Sequence, residues 1–106
     1  MMIARIWVGV TPADRTDAYL AYLQKTGLAE YATVKGHRAT FVLRQIKDDR
    51  ATFTIVTHWD SMDAIEAFAG ETPEIAKYYP EDDDYLIERR PTVEHHEVIW
   101  TDIADR

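Results

Sequence analysis

The chain is 106 residues long, carries a formal net charge of −7 and contains no cysteine. That length suits one domain, spanning residues 1–106, with a core of its own. Without cysteine there are no disulfides, thiolate metal sites or cysteine nucleophiles, and the acidic average field disfavours a nucleic-acid partner. The opening residues lack a signal-peptide pattern and no apolar run reaches the length of a membrane span, so a soluble, cytoplasmic protein with no membrane partner is expected.

Met2 to Val10 alternates as a strand, with Met2, Ala4, Ile6 and Val8 on one side and Ile3, Arg5 and Trp7 on the other. Thr11-Pro12-Ala13-Asp14 reads as a helix start: a capping hydroxyl, a proline at the first helical position and an early carboxylate. The helix is predicted to run to about Thr26 and stop at Gly27, burying Tyr19, Leu20 and Leu23 with Ala13 or Thr16. Leu28 to His37 is read as a connection with a turn at Gly36, Ala39 to Ile46 as a strand, and Lys47-Asp48-Asp49-Arg50 as a hairpin turn.

From Phe53 the chain alternates Phe53, Ile55 and Thr57 against Thr54, Val56 and His58, which makes a strand. At Trp59 the pattern switches to a helix capped by Asp60 or Ser61, buried at Ile65, Phe68 and Ala69 and ended by Gly70. Thr72-Pro73-Glu74 repeats the cap-plus-proline signature and predicts a short helix from Pro73 to Tyr79, ending before Pro80. Glu81 to Pro91 reads as an exposed loop, Thr92 to Trp100 as the last strand and Asp102 to Arg106 as a frayed tail. The acidic run Glu81–Asp84 lacks calcium-loop spacing and is read as solvated.

This order predicts an α+β fold, a ferredoxin-like split βαββαβ antiparallel sheet with its helices on one face. Successive strand residues point to opposite faces, so apolar groups remain on the side away from the helices. A second copy of the chain is the economical cover, and a homodimer is expected.

Three stretches carry a family resemblance: Ile3-Ala-Arg-Ile-Trp7, Gly36 before Phe41-Val-Leu-Arg44, and Trp59-Asp-Ser-Met-Asp-Ala-Ile-Glu-Ala-Phe68. With Tyr78-Tyr-Pro-Glu-Asp-Asp-Asp-Tyr85, they make the chain resemble the dimeric α/β-barrel superfamily in its antibiotic biosynthesis monooxygenase-like (ABM) family, over Met1 to about Trp100. The resemblance implies a dimeric α/β barrel that takes a small-molecule ligand, in a group that includes cofactor-independent quinone-forming oxygenases and haem-degrading enzymes. The haem-degrading branch has a tryptophan like Trp59, with an asparagine on the first strand and a histidine in the second helix. This chain has no asparagine, and Ala69 stands about where that histidine is expected.

The function expected from this resemblance is a small-molecule oxidoreductase similar to cofactor-independent monooxygenases, acting on aromatic or polyketide-like substrates. A haem- or small-ligand-binding barrel without monooxygenase activity is the alternative, and haem is the alternative to no cofactor. Trp59, Trp7 and Tyr78 are the candidate substrate-binding residues, Trp59 as a stacking wall or simply as core. His96 and Tyr79 are candidates for managing a proton and Arg44 for holding a substrate anion. No metal site is expected, because His95 and His96, between Glu94 and Glu97, diverge on a strand.

Overall fold

A computed structural model describes residues 2–103. Strand β1 (Ile3–Pro12) is followed by a 3₁₀ turn (Ala13–Arg15) and helices α1 (Thr16–Lys25) and α2 (Gly27–Tyr31). Then come β2 (His37–Lys47), β3 (Arg50–Trp59) and α3 (Met62–Ala69), a second 3₁₀ turn (Asp82–Asp84), β4 (Glu88–Arg89) and β5 (Glu94–Glu97). All pairings are antiparallel: β2 lies beside β3, β3 beside β1, and both β4 and β5 pair with the far edge of β1. This is the expected split α+β arrangement.

The β2–β3 hairpin closes through a two-residue loop whose Asp48 takes φ 58°, a left-handed geometry that aspartate tolerates. Register fixes the faces. Ala51, Phe53, Ile55, Thr57 and Trp59 of β3 all point under the helices and are buried, and Trp7 pairs with Ile55 on that side. Tyr19 and Leu23 from α1, Tyr31 from α2, and Ile65 and Phe68 from α3 complete the core. The opposite face presents Ile6, Val8, Val56, Phe41 and Leu43, the last two 41% and 51% exposed.

α3 follows its sequence closely. Ser61 Oγ accepts from Ala64 N at 3.2 Å, and Gly70, at φ 90°, ends the helix where a side chain would be strained. Gly36, at φ 97°, turns the chain into β2.

Several expectations are corrected. Pro12 ends β1 rather than opening a helix, and no side chain caps the turn that follows, because Ala13 N–H is already taken by Asp49 C=O at 2.8 Å. Gly27 does not stop the helical region; the chain breaks at Thr26 and restarts as α2, with Gly27 buried at its first position. Leu20 is 37% exposed, so the stripe of α1 is Thr16, Tyr19 and Leu23. Pro73 to Tyr79 is not helical. After a turn at Pro73 and Glu74 it runs beside the later chain, with Ala76 N–H on Pro91 C=O, Val93 N–H on Glu74 C=O and a bridge between Ile75 and Thr92. The buried Arg5 guanidinium takes the carbonyls of Pro73 and Ile75, both at 3.4 Å, so a tertiary contact overrides the local signal.

The last strand is correspondingly shorter than Thr92 to Trp100. Pro91 lacks an N–H for the ladder, so pairing divides into β4 and β5. Ile99 and Trp100 leave the sheet, 88% and 77% exposed. Asp102 and Ile103 lie in no regular element, and the rest of the expected tail falls outside the described residues. Among the described residues no helix is long and apolar enough to cross a membrane.

Candidate functional site

The space between sheet and helices narrows to a small cavity of about 20 Å³. Trp7 and Ile55 form its floor from the sheet, Tyr19 and Tyr31 its sides from α1 and α2, and Lys77, Tyr79 and Asp82 its lid from the loop after α3. Trp7 reaches it because Gly9, two residues on along the same face, has no side chain: a Cβ there would sit 2.5 Å from the indole Cη2.

Two donors in this wall have nothing to donate to. Trp7 Nε1 and Tyr19 Oη are buried without a hydrogen-bond partner, in side chains 6% and 0% exposed. Such groups cost free energy unless something supplies an acceptor. Burial and the Asp82 carboxylate push the Tyr19 hydroxyl well up, so it keeps its proton and remains a donor. Tyr31 is likewise pushed up to about 12 by burial.

The lid is pinned to α2. Lys77 Nζ lies 2.6 Å from Glu30 Oε2, and the Tyr79 hydroxyl donates to the other Glu30 oxygen. Burial works against the Glu30 charge, but these two bonds outweigh it and hold the carboxyl below its ordinary range. Asp82 is 3% exposed, and its Oδ2 accepts from Tyr79 N at 2.6 Å. Burial raises its pKa, and the Tyr79 N–H and Arg89 offset only part of that rise.

Of the residues singled out in the sequence, Trp7 and Tyr79 meet in this wall, and the others lie elsewhere. Trp59 is fully buried one layer away, its Nε1 satisfied by Thr57 Oγ1 at 2.7 Å and its ring against Tyr31, Phe68 and His37. Tyr78 packs on Trp7 at 5.9 Å, but its hydroxyl donates to Arg90 C=O and Arg89 covers its face. Arg44 lines a separate, open cleft of about 370 Å³ with Thr16, Leu20, Val42 and Phe53, and donates to Thr16 Oγ1 at 3.3 Å. His96 pairs with Ala4 on the face away from the helices, bonded to Glu94 at 2.9 Å. His95 faces the helix side opposite Arg5, and burial and that guanidinium lower its pKa.

Sequence reasoning placed Tyr19 only as core and Asp82 in a solvated run, and passed over Lys77. A tyrosine in a buried helical stripe is the one available hint, since its hydroxyl must go somewhere. Nothing distinguishes Asp82 from its three acidic neighbours before the loop is folded.

No histidine stands in the wall of this cavity, so it offers a haem iron no imidazole ligand. Among the described residues no three His, Asp or Glu side chains are placed to hold a metal ion.

No protein of curated function matches the chain in sequence. Its fold is similar to that of a proposed antibiotic biosynthesis monooxygenase from Bacillus cereus, at TM-score 0.67 and 14% identity over 100% of this chain and 99% of the other. A second such protein, from Nitrosomonas europaea, gives 0.66 and 14% over 93% and 91%. A haem-degrading protein from Mycobacterium tuberculosis gives 0.61 and 20% over 95% and 98%. At these identities the likeness is one of fold. The family model for antibiotic biosynthesis monooxygenases matches residues 1–79, three quarters of the chain and every element from β1 to α3, and the chain belongs to that family.

Proposed function

We propose that the protein is a cofactor-independent oxidoreductase that oxygenates an electron-rich aromatic or polyketide-like small molecule held between its sheet and helices. The observation that carries this reading is the pair of unpartnered donors, Trp7 Nε1–H and Tyr19 O–H, buried in the wall of one cavity among aromatic rings. Two such donors aimed at a substrate oxygen stabilise negative charge there, in a low-dielectric site where the effect is large. The substrate supplies the electrons. Once it is an anion it reduces dioxygen, and for a ring CH2 the sum is CH2 + O2 → C=O + H2O. One oxygen enters the product, the other leaves as water with both hydrogens of the methylene, and the four electrons that dioxygen accepts all come from the substrate carbon.

The cavity has room for about one water molecule, so a planar substrate binds only when the lid moves. Residues 73–76 are tied to the later chain and to Arg5, whereas Lys77 to Glu81 have no regular secondary structure and are held to α2 by the Glu30 contacts, which makes that end the part that opens. The protein acts as a homodimer through the apolar sheet face that carries Phe41 and Leu43, and it acts in the cytoplasm, where a cysteine-free domain needs no oxidising compartment. No nucleic acid or membrane takes part.

The test is to dialyse the protein against chelator and measure dioxygen uptake with anthrone- and dihydroxynaphthalene-type substrates. Uptake by the metal-free, colourless protein is the expected result. Uptake only after haem, flavin or iron is restored refutes the cofactor-free reading. Haem titration that yields a Soret band with no uptake identifies instead a haem-binding barrel.

A further inference from the structure

The cavity wall also holds a carboxyl that the two donors leave unused. Asp82 stands in the lid with its carboxyl inside the molecule, 3% exposed, lining the same cavity as Trp7 and Tyr19. A buried carboxyl is ordinarily paired with a cation. Of the cations nearby, Lys77 is bound to Glu30, and Arg89, bound to Asp83 and lying over the face of Tyr78, acts on Asp82 through its charge without a hydrogen bond. The hydrogen bond that Asp82's side chain makes is the one its Oδ2 accepts from Tyr79 N–H, which closes the turn into the 3₁₀ segment. That local duty occupies one oxygen and requires only an acceptor. It does not require a charge, and an asparagine would perform it.

We infer that Asp82 is the proton acceptor of the site, taking the proton from a phenolic or enolic hydroxyl whose oxygen is held by Trp7 Nε1–H and Tyr19 O–H. This rests on the function proposed above. In the step, the substrate O–H bond breaks, its electron pair stays on the substrate oxygen, and a new O–H bond forms at Asp82 Oδ1. No electron is transferred and no co-reactant is consumed. The anion so formed is the species that the two donors stabilise and that dioxygen then oxidises. Burial raises the affinity of Asp82 for a proton, which makes it a stronger base than an exposed aspartate. Asp82 also lies beyond residue 79, where the match to the family model ends, so the assignment concerns this chain's own loop.

The experiment uses 4-nitrophenol, whose phenolate absorbs to the red of the phenol, at a pH about one unit below its own pKa so that the free probe is mostly neutral. Bound to the wild type, it is expected to show the phenolate band. Asp82→Asn keeps the acceptor for Tyr79 N–H and is expected to bind the probe with loss of that band. Asp83→Asn, in the exposed neighbour, is expected to keep the band. A phenolate band that persists in Asp82→Asn overturns the inference, as does a wild type that binds the probe in its neutral form; both leave the binding site standing. A wild type that does not bind the probe overturns the site and the inference together. Infrared difference spectra of the wild type need no folded variant: proton capture gives a carboxylic acid C=O band as the probe binds, and its absence overturns the inference.

Discussion

Replacing Tyr19 by phenylalanine separates what the hydroxyl does for the fold from what it does for a ligand. The ring is fully buried, edge-on to Phe53 at 5.1 Å and beside Tyr85 at 5.4 Å, and phenylalanine keeps both contacts. Only the unpartnered oxygen is lost. A buried hydroxyl without a partner costs about 1–3 kcal/mol, so its removal should stabilise the free protein by about 1 kcal/mol after allowing for the small void left behind. In a domain of this size that is a rise in Tm of roughly 4–8 °C. The same change removes one hydrogen bond to a bound oxygen and should weaken ligand binding by about 1 kcal/mol, close to fivefold. Calorimetric melting at matched protein concentration and isothermal titration with a phenolic ligand measure the two effects, concentration being matched because the proposed dimerisation would make Tm depend on it. A variant that is less stable than wild type by about 1 kcal/mol would refute the reasoning, since the hydroxyl would then have a partner in solution.

Trp59→Phe should fold but lose about 1–3 kcal/mol of stability, through the missing Thr57 bond and lost volume, with affinity for a planar aromatic ligand unchanged. Reduced affinity at unchanged Tm would make it a pocket wall after all. Glu30→Gln should speed ligand association by loosening the lid, which stopped-flow binding measures. Because Glu30 titrates lower in the folded protein, its contribution is full above the ordinary glutamate pKa and is lost as pH falls through the folded value. The wild type's advantage over the variant should therefore be under about 1 kcal/mol at neutral pH, the pair being a third exposed, and should vanish on acidification. Phe41→Asp with Leu43→Asp should leave the protein monomeric in sedimentation equilibrium where the wild type forms the proposed homodimer, and a wild type already monomeric at tens of micromolar contradicts that proposal.

The parts of the fold legible in the sequence are those where local signal and tertiary environment agree. β3 is half-buried with strict alternation from Ala51 to Trp59, and α3 has its own cap at Ser61 and its own stop at Gly70. Elsewhere a distant partner decides. Pro73 to Tyr79 carries a good helix signature, but its carbonyls serve Arg5, some seventy residues away in the chain. Gly27 looks like a helix stop and instead opens the turn of helix that brings Tyr31 to the cavity and Glu30 to its lid. The candidate site was less legible. Trp7 and Tyr79 were visible as amphipathic residues, whereas Asp82 becomes distinct from Glu81, Asp83 and Asp84 only when the 3₁₀ turn points it inward. Residues expected to act together, such as Arg44 and His96, sit on different faces because each strand pairing fixes their direction separately.

The three tryptophans give the most direct measurement, because each indole N–H reports a different environment. Trp7 Nε1–H is buried without a partner, Trp59 Nε1–H is bonded to Thr57, and Trp100 is 77% exposed. In ¹H–¹⁵N spectra titrated with a phenolic ligand at constant protein concentration, the Trp7 indole resonance should move downfield as it gains an acceptor, with Trp59 nearly still. A titration in which Trp59 shifts and Trp7 does not would contradict the claim that the Trp7 and Tyr19 donors form the ligand site.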